Sequence, residues 1–328
     1  MNKKIKKILV TGGAGFIGSN LCEHLVSKGY QVVCLDNFST GHMENIKYLL
    51  DGFKNQFALI EGDIRNFETC LKAAHGVDAI LHEAALGSIP RSINDPITTN
   101  DVNVGGFLNM LVAARDMQVK RFIFAASSST YGDNQDLPKR EECIGKPLSP
   151  YALTKYVDEM YADVFHKTYG IDYIGLRYFN VFGRRQDPNS MYAAVIPLFI
   201  RQLIEHKVPV INGDGTNSRD FTYIDNVVNM NVLALHTENT DALNQIYNTA
   251  GGERITIYQM YESIKSCLIE KDFDLENLQP IFGPPRLGDI PHSWADVRKA
   301  KSFLGYSPEW TFKEGIQETV NWCVKNYK

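Results

Sequence analysis

The chain of 328 residues has no run of apolar residues long enough to cross a bilayer, so no membrane-spanning role is expected. It also lacks a basic surplus. Its 34 Lys and Arg against 38 Asp and Glu leave a formal charge of −4, which supplies no field for nucleic acid or an anionic lipid surface. Whatever binds is expected to be recognised in a pocket, with local arginines meeting any anion. The six cysteines (Cys22, Cys34, Cys70, Cys143, Cys267, Cys323) are scattered, without the spacing of a metal site or a disulfide framework. They read as reduced thiols of a cytoplasmic protein, and no metal is expected. Internal repeats and low-complexity segments are absent too. The Met1-Asn2-Lys3-Lys4-Ile5-Lys6-Lys7 run resembles the start of a secretory leader, but the apolar stretch after it is short and breaks into glycines. It reads as a solvated lead-in.

What is present is an ordinary globular composition, 44% apolar and 22% charged, in a chain longer than the usual single domain. One large core with a smaller lobe, or two domains, is expected. Short apolar runs at Ile8 to Val10, Gln31 to Leu35, Phe57 to Glu61, Ala79 to Glu83 and Arg121 to Ala126 predict buried strands. Helical patterns at Phe16 to Lys28, Phe67 to Ala74, Val104 to Met117 and Tyr151 to Thr168 separate or follow them. This alternation predicts an α/β fold, a Rossmann-type doubly wound parallel sheet covered on both faces. Tyr173 to Tyr178 continues it, and beyond Asn180 the texture becomes loop-rich, Arg184-Arg185-Gln186-Asp187-Pro188-Asn189. Residues 1–180 are therefore read as the dinucleotide-binding domain and 181–328 as mainly a substrate-binding lobe. A strand at Tyr247 to Thr249 predicts a return to the large sheet near 222–250, so the lobes are discontinuous in sequence.

Two motifs carry the chemistry. In the first, Gly12, Gly15 and Gly18 follow a strand and open a helix, which allows a tight turn, close approach to a pyrophosphate and close packing of helix on strand. The anion then sits at a helix N-terminus, where unpaired N–H groups and the helix dipole favour negative charge. Asp36 ends the next strand, where a carboxylate can accept both ribose hydroxyls of adenosine and would repel a 2′-phosphate. NAD is thus expected rather than NADP. Asp63 and Ile64, after another strand, are candidates for the adenine pocket.

The second motif is Tyr151-Ala152-Leu153-Thr154-Lys155, preceded by Ser127-Ser128-Ser129-Thr130-Tyr131-Gly132 at a carboxyl strand end. Tyr151 and Lys155 lie one helical turn apart on a shared face. A phenol ordinarily ionises near pH 10 and is a poor base at neutrality. A lysine cation about 4 Å away, at an effective dielectric of about 20, favours phenolate by up to about 4 kcal/mol. That is enough to bring the base within reach near neutral pH, and Lys155 is also expected to bind the nicotinamide ribose.

On these residues the sequence resembles the extended short-chain dehydrogenase/reductase family across essentially its whole length. The glycine loop, the serine strand end, the Tyr151/Lys155 pair and Tyr178-Phe179-Asn180 match in order. Within that family it is similar to nucleotide-sugar 4-epimerases, especially those acting on UDP-N-acetylhexosamines; Ala84-Ala85-Leu86-Gly87-Ser88 and Ser149-Pro150-Tyr151 strengthen the likeness. The resemblance implies Ser127, Tyr151 and Lys155 as catalytic residues. It implies a cofactor set of Gly12, Gly15, Phe16, Ile17, Gly18, Asp36, Asn37, Ser39, Thr40, Gly41, Asp63, Ile64, Ala84, Ala85, Asn103 and Tyr178 with that pair. The implied UDP-sugar set is Gly87, Ser88, Ser127, Ser128, Ser129, Asn180, Val195, Asn212, Arg219, Arg286, Asp289 and Ser293.

The implied reaction oxidises the sugar at C4, turns a 4-keto intermediate over and reduces its other face, with NAD retained throughout. The family's 4,6-dehydratases need an Asp-Glu pair where this chain has Ser128 and Ser129, and hydroxyls replace those carboxyls poorly. Decarboxylation, and a non-catalytic dinucleotide sensor, remain alternatives. Ser293 stands where epimerases restricted to unsubstituted hexoses often carry tyrosine. Room for a 2-acetamido group predicts UDP-GlcNAc and UDP-GalNAc as substrates, with UDP-glucose, UDP-galactose and the uronic acids left open. Family analogy also suggests a homodimer joined through Val104 to Met117 and Tyr151 to Thr168.

Overall fold

A computed structural model describes residues 5–189, 193–285 and 290–327. Seven strands form one parallel sheet: β1 (Lys7–Thr11), β2 (Gln31–Asp36), β3 (Phe57–Glu61), β4 (Ala79–His82), β5 (Arg121–Ser127), β6 (Asp172–Tyr178) and β7 (Gln245–Thr249). Their spatial order is β7-β6-β5-β4-β1-β2-β3. The order reverses between β1 and β4, and ligands of open α/β sheets bind at such a switch point.

The strands read as apolar runs because both faces are covered. Ile8 and Val10 point into one cluster, with Leu21 and Leu25 of α1 (Phe16–Ser27), while Leu9 points into the other, with Cys70 of α2 (Phe67–Ala74), Met110 of α3 (Gly106–Asp116) and Phe165 of α4 (Pro150–Tyr169). Leu21 and Leu25 are fully buried, a contribution of about 1.5–3 kcal/mol each. The first cluster runs on without a break through α5 (Val195–Ile204), α6 (Ile224–His236), α7 (Ile257–Ile269) and α8 (Phe312–Asn326). The later half of the chain therefore shares its core with the sheet. Short strand pairs, Val210–Asn212 with Ile281–Gly283 and Ser218–Arg219 with Ile255–Thr256, brace this half.

Two local features position the site. Helix α4 starts sharply because the Ser149 Oγ accepts from the Ala152 N–H at 3.1 Å and Pro150 takes the first helical turn; it ends at Gly170 in the left-handed region, φ 72°. The helix expected from Val104 begins later, at Gly106, because Asp101–Gly105 forms a π-helical turn. Such turns redirect side chains, and this one carries Asn103 inward. Among the described residues, no helix is long and apolar enough to cross a membrane, and no group of three His, Cys, Asp or Glu could hold a metal ion.

Candidate active site

A cleft of about 670 Å³ opens at the carboxyl ends of the strands. Its floor is the glycine loop. Gly12, at φ +65°, donates from its N–H to the Leu35 carbonyl at 2.8 Å, and the Gly15 N–H donates to the Gly12 carbonyl at 3.0 Å. A Cβ at Gly12 would lie 2.9 Å from the Ala84 Cα, and one at Gly18 would lie 2.1 Å from the Gly12 carbonyl oxygen. No side chain caps the α1 N-terminus, so its first amides face the cleft as an anion site. This cradle fits a dinucleotide diphosphate.

Asp36 is buried at the cleft wall. Its Oδ2 accepts the Ala14 N–H at 2.9 Å and its Oδ1 accepts the Phe38 N–H at 2.8 Å. The carboxylate is thereby oriented by the chain, and each oxygen keeps a second lone pair for a ribose hydroxyl. The Asn37 amide donates to Asp63 at 2.8 Å, and the hydrogen bonds from Arg65 hold the Asp63 carboxyl down to about 2.

At the other end of the cleft, Ser127 closes β5. Its Oγ accepts from the Ser129 N–H at 3.1 Å and from the Ser129 hydroxyl at 2.8 Å, which leaves its own O–H to donate. Tyr151 and Lys155 face the same space from the first turns of α4. The Lys155 Nζ donates to the Ala125 carbonyl at 2.9 Å and lies 3.3 Å from the Asp158 Oδ2, both groups buried. The serine turn is fixed from behind: the Tyr131 hydroxyl donates to Asn248 at 2.6 Å, and Arg177, paired to Glu159 at 2.7 Å, stacks over the Tyr131 ring.

The cleft wall includes Gly12, Gly15, Phe16, Ile17, Gly18, Asp36, Asn37, Ser39, Thr40, Asp63, Ile64, Ala84, Ala85, Gly87, Ser127, Ser128, Ser129, Tyr151, Lys155, Tyr178, Asn180, Arg219 and Ser293. Residues from both ends of the chain thus meet in one space. Arg219 extends from a short strand, donating to the Ser218 and Pro291 carbonyls, and Ser293 is held opposite by its N–H bond to Ser218.

Five expected contact residues lie off that wall. Ser88 caps the helix Ile89–Asn94 by accepting the Arg91 N–H at 3.2 Å. Asn103 clamps the Leu86 backbone through both of its side-chain atoms and reaches Thr154 at 3.1 Å. It braces the loop over the cleft instead of lining it. Gly41 packs against Asp36, where a Cβ would meet the carboxylate at 3.0 Å. Val195 starts α5, and Asn212 ends a short strand beside Gly283. Arg286 and Asp289 lie outside the described residues.

One ionisable wall residue, Glu83, was not among the residues expected from sequence. Glu83, just past β4, accepts from the Tyr178 hydroxyl at 2.9 Å, and that hydroxyl accepts from the Asn231 amide at 2.8 Å. Burial pushes the Glu83 carboxyl up to about 7, although Tyr178 and Lys155 pull the other way. Its position at a carboxyl strand end was the one available clue.

Comparison with known proteins places this geometry. The family model of the NAD dependent epimerase/dehydratase family matches residues 8–250. A solved UDP-N-acetylglucosamine 4-epimerase from Methanobrevibacter ruminantium, in complex with UDP-N-acetylmuramic acid, is 37% identical with a TM-score of 0.89, covering 98% of this chain and 99% of that one. A UDP-glucose 4-epimerase from Thermotoga maritima, solved with UDP-glucose, is 34% identical with a TM-score of 0.89, covering 98% and 100%. A UDP-glucuronate 4-epimerase of Thermodesulfobacterium geofontis is 35% identical over 97% of this chain and 96% of its own. The glycine cradle, the oriented Asp36 and the Tyr151/Lys155 pair thus sit in a chain that belongs to the NAD dependent epimerase/dehydratase family, with UDP-sugar 4-epimerases among its relatives.

Proposed function

We propose that this chain interconverts UDP-GlcNAc and UDP-GalNAc by inverting C4 through a transient 4-keto sugar. The observation that carries the reading is that Ser127, Tyr151 and Lys155 line the same cleft as the glycine cradle, with Ser128 and Ser129 where elimination would need carboxyl groups. NAD, when bound, supplies the acceptor that takes the C4 hydride and gives it back.

The chain's own residues do the rest. Tyr151, as phenolate, removes the O4 proton and returns it after the sugar has turned. Ser127 donates to O4, because both of its lone pairs are already engaged by Ser129. This favours direct proton transfer to Tyr151 over a relay through Ser127. Lys155 supplies the positive charge that favours phenolate and spares an N–H for the nicotinamide ribose. Arg219 and Asn180, with Arg286 and Asp289, anchor the diphosphate and nucleoside while the sugar swings. Asp36 accepts the adenosine ribose hydroxyls.

Ser293 and Gly87 leave the sugar end of the wall small. An N-acetyl group needs that room, and the relative solved with the bulky UDP-N-acetylmuramic acid gives independent support for a wide sugar pocket in this branch. The purified protein, assayed by NMR without added NAD, is expected to convert UDP-GlcNAc to UDP-GalNAc, with UDP-glucose, which would give UDP-galactose, as the comparison substrate. Ser293→Tyr is expected to cut turnover of UDP-GlcNAc at least tenfold more than turnover of UDP-glucose, the scale of about 1.4 kcal/mol of steric discrimination. Equal losses on both sugars would refute the steric account. The runner-up readings would show as different products: dehydration as a 4-keto-6-deoxy sugar with a new C6 methyl signal in the same spectra, and decarboxylation, which needs a C6 carboxylate, as a pentose formed from a UDP-uronic acid.

The protein is also proposed to be a cytoplasmic homodimer. Leu153, Met160 and Val164 expose an apolar stripe along α4, beside Ile93 and Ile97 of the preceding short helices, with Ile97 74% exposed. A second copy burying this face satisfies it in the way isologous dimers do. Light scattering is expected to give twice the chain mass, and Leu153→Glu with Val164→Glu the single mass. A wild-type monomer would refute the dimer.

A further inference from the structure

Tyr151, Lys155 and Asp158 stand at spacings of four and three residues on α4, so the three side chains form one ladder along a single face. Tyr151 and Lys155 line the cleft, whereas Asp158 is wholly buried behind them. Its Oδ2 lies 3.3 Å from the Lys155 Nζ, and its Oδ1 has no hydrogen-bond partner in the structure. This carboxyl touches neither the cleft nor, in the reading above, any substrate atom. Its single polar contact is the ammonium on which the base depends.

We propose that Asp158 is a positioning residue that draws the Lys155 charge back from the cleft and thereby sets the pH at which Tyr151 becomes an effective base. The proposal rests on Tyr151 being that base. Of the three Lys155 protons, one goes to the Ala125 carbonyl and one toward Asp158, which fixes the ammonium and leaves the third for the cleft. An ionised Asp158 offsets the cation that favours phenolate, while a protonated one leaves the full charge acting on Tyr151.

The surrounding groups leave Asp158 as the principal offset. From β4, His82 is kept neutral by burial and by Lys155, which push it down to about 3, and its Nδ1 is engaged with the Thr11 hydroxyl at 3.0 Å. Glu83 faces Lys155 from the end of the same strand without an ion-pair contact to it; burial pushes its carboxyl up to about 7 as well, so it adds a weaker offset from farther away. On α4 itself, Glu159 is neutralised by the two-pronged Arg177 pair. From β5 comes only the Ala125 carbonyl. Burial pushes the Asp158 carboxyl up to about 7, with Lys155 opposing the rise. Its ionisation therefore falls near neutral pH.

The sign follows from charge. As pH rises through about 7, Asp158 becomes negative and the cation acting on Tyr151 is progressively offset, so phenolate formation in the wild type is held back to higher pH. In Asp158→Asn the offset is gone and phenolate forms earlier. Seven helical residues put Asp158 about 10 Å from Tyr151 along the axis. At an effective dielectric of about 20, that separation corresponds to a displacement of about one pH unit, or roughly tenfold in activity at the foot of the acid limb.

The test measures kcat/KM for the holoenzyme against pH, and separately the tyrosinate ultraviolet absorbance, with Tyr151→Phe as the spectral reference. Asp158→Asn is expected to move both midpoints down by about one unit. Asp158→Ser, smaller and equally uncharged, is expected to do the same, and Asp158→Glu to restore the wild-type midpoint. If either folded, NAD-containing neutral variant keeps the wild-type midpoints or moves them upward, the role assigned to Asp158 is overturned. Should Tyr151→Phe stay active, the base assignment itself fails. Inactive Tyr151→Phe with unmoved midpoints in Asp158→Asn would remove only the role of Asp158.

Discussion

Replacing Tyr151 with phenylalanine is expected to lower kcat by roughly a thousandfold, the usual worth of a well-placed general base, with KM changed by less than about threefold. The variant loses one oxygen. Its ring keeps its place in the first turn of α4, which is set by the Ser149 cap and Pro150 and not by the phenol. The glycine cradle and Asp36 are untouched, so bound NAD should persist in the purified variant. NMR progress curves on UDP-GlcNAc, with NAD released by denaturation and quantified, check both statements. A loss below tenfold would assign the proton to a group other than Tyr151.

The next largest effect, on binding instead of chemistry, is expected from Gly18→Ala. The added Cβ would lie 2.1 Å from the Gly12 carbonyl oxygen and 2.8 Å from the Gly13 Cα, and these are backbone atoms that cannot swing aside. The same Gly12 oxygen accepts the Gly15 N–H that closes the loop, so relief of the clash opens the cradle. Overpacking of this kind costs about 3 kcal/mol, which lowers Tm by roughly 4 °C in a chain of this size. The purified variant is expected to carry less than about a tenth of the wild-type NAD, a loss equivalent to at least about 1.4 kcal/mol of cofactor affinity. Gly52→Ala is the control, since a Cβ there meets nothing within 4 Å, and it should retain both NAD and Tm. Normal NAD content in Gly18→Ala would show that the loop relaxes without opening.

Legibility from sequence followed the physics of burial. Runs such as Phe57–Glu61 and Phe67–Ala74 were readable residue for residue, because a short apolar run bounded by polar residues and a helix buried on one face leave direct signatures. The glycine loop and the Tyr151/Lys155 ladder were readable because their spacing is their chemistry. Ser88 carries a second signal in the sequence: a serine just ahead of Ile89-Pro90 is placed to cap a helix, as it does here. Asn103 was harder, since its partner Leu86 lies across a loop and its orientation depends on a π turn that no periodicity announces. Glu83 and Asp158 were invisible as special groups. In sequence each is one more acidic residue, and only the fold shows that one lies against Tyr178 and the other against Lys155. The short strands at 210–212 and 281–283 were equally silent, being three residues each and paired across a long stretch of chain.

The late return of β7 to the sheet also orders events during synthesis. When β6 ends at Tyr178, its outer edge has no neighbour until Gln245 begins β7, and Asn231 on α6 has not yet been made to hold the Tyr178 hydroxyl. At roughly 5–20 residues per second, the interval from Tyr178 to Ile224 alone lasts about 2–10 s, during which a nearly complete parallel sheet has an open, apolar flank. Arg219 arrives within this interval and Ser293 only after β7 is complete. Binding of the UDP-sugar therefore reports on a finished chain, whereas the residues assigned to the cofactor are all made by the time Tyr178 is added.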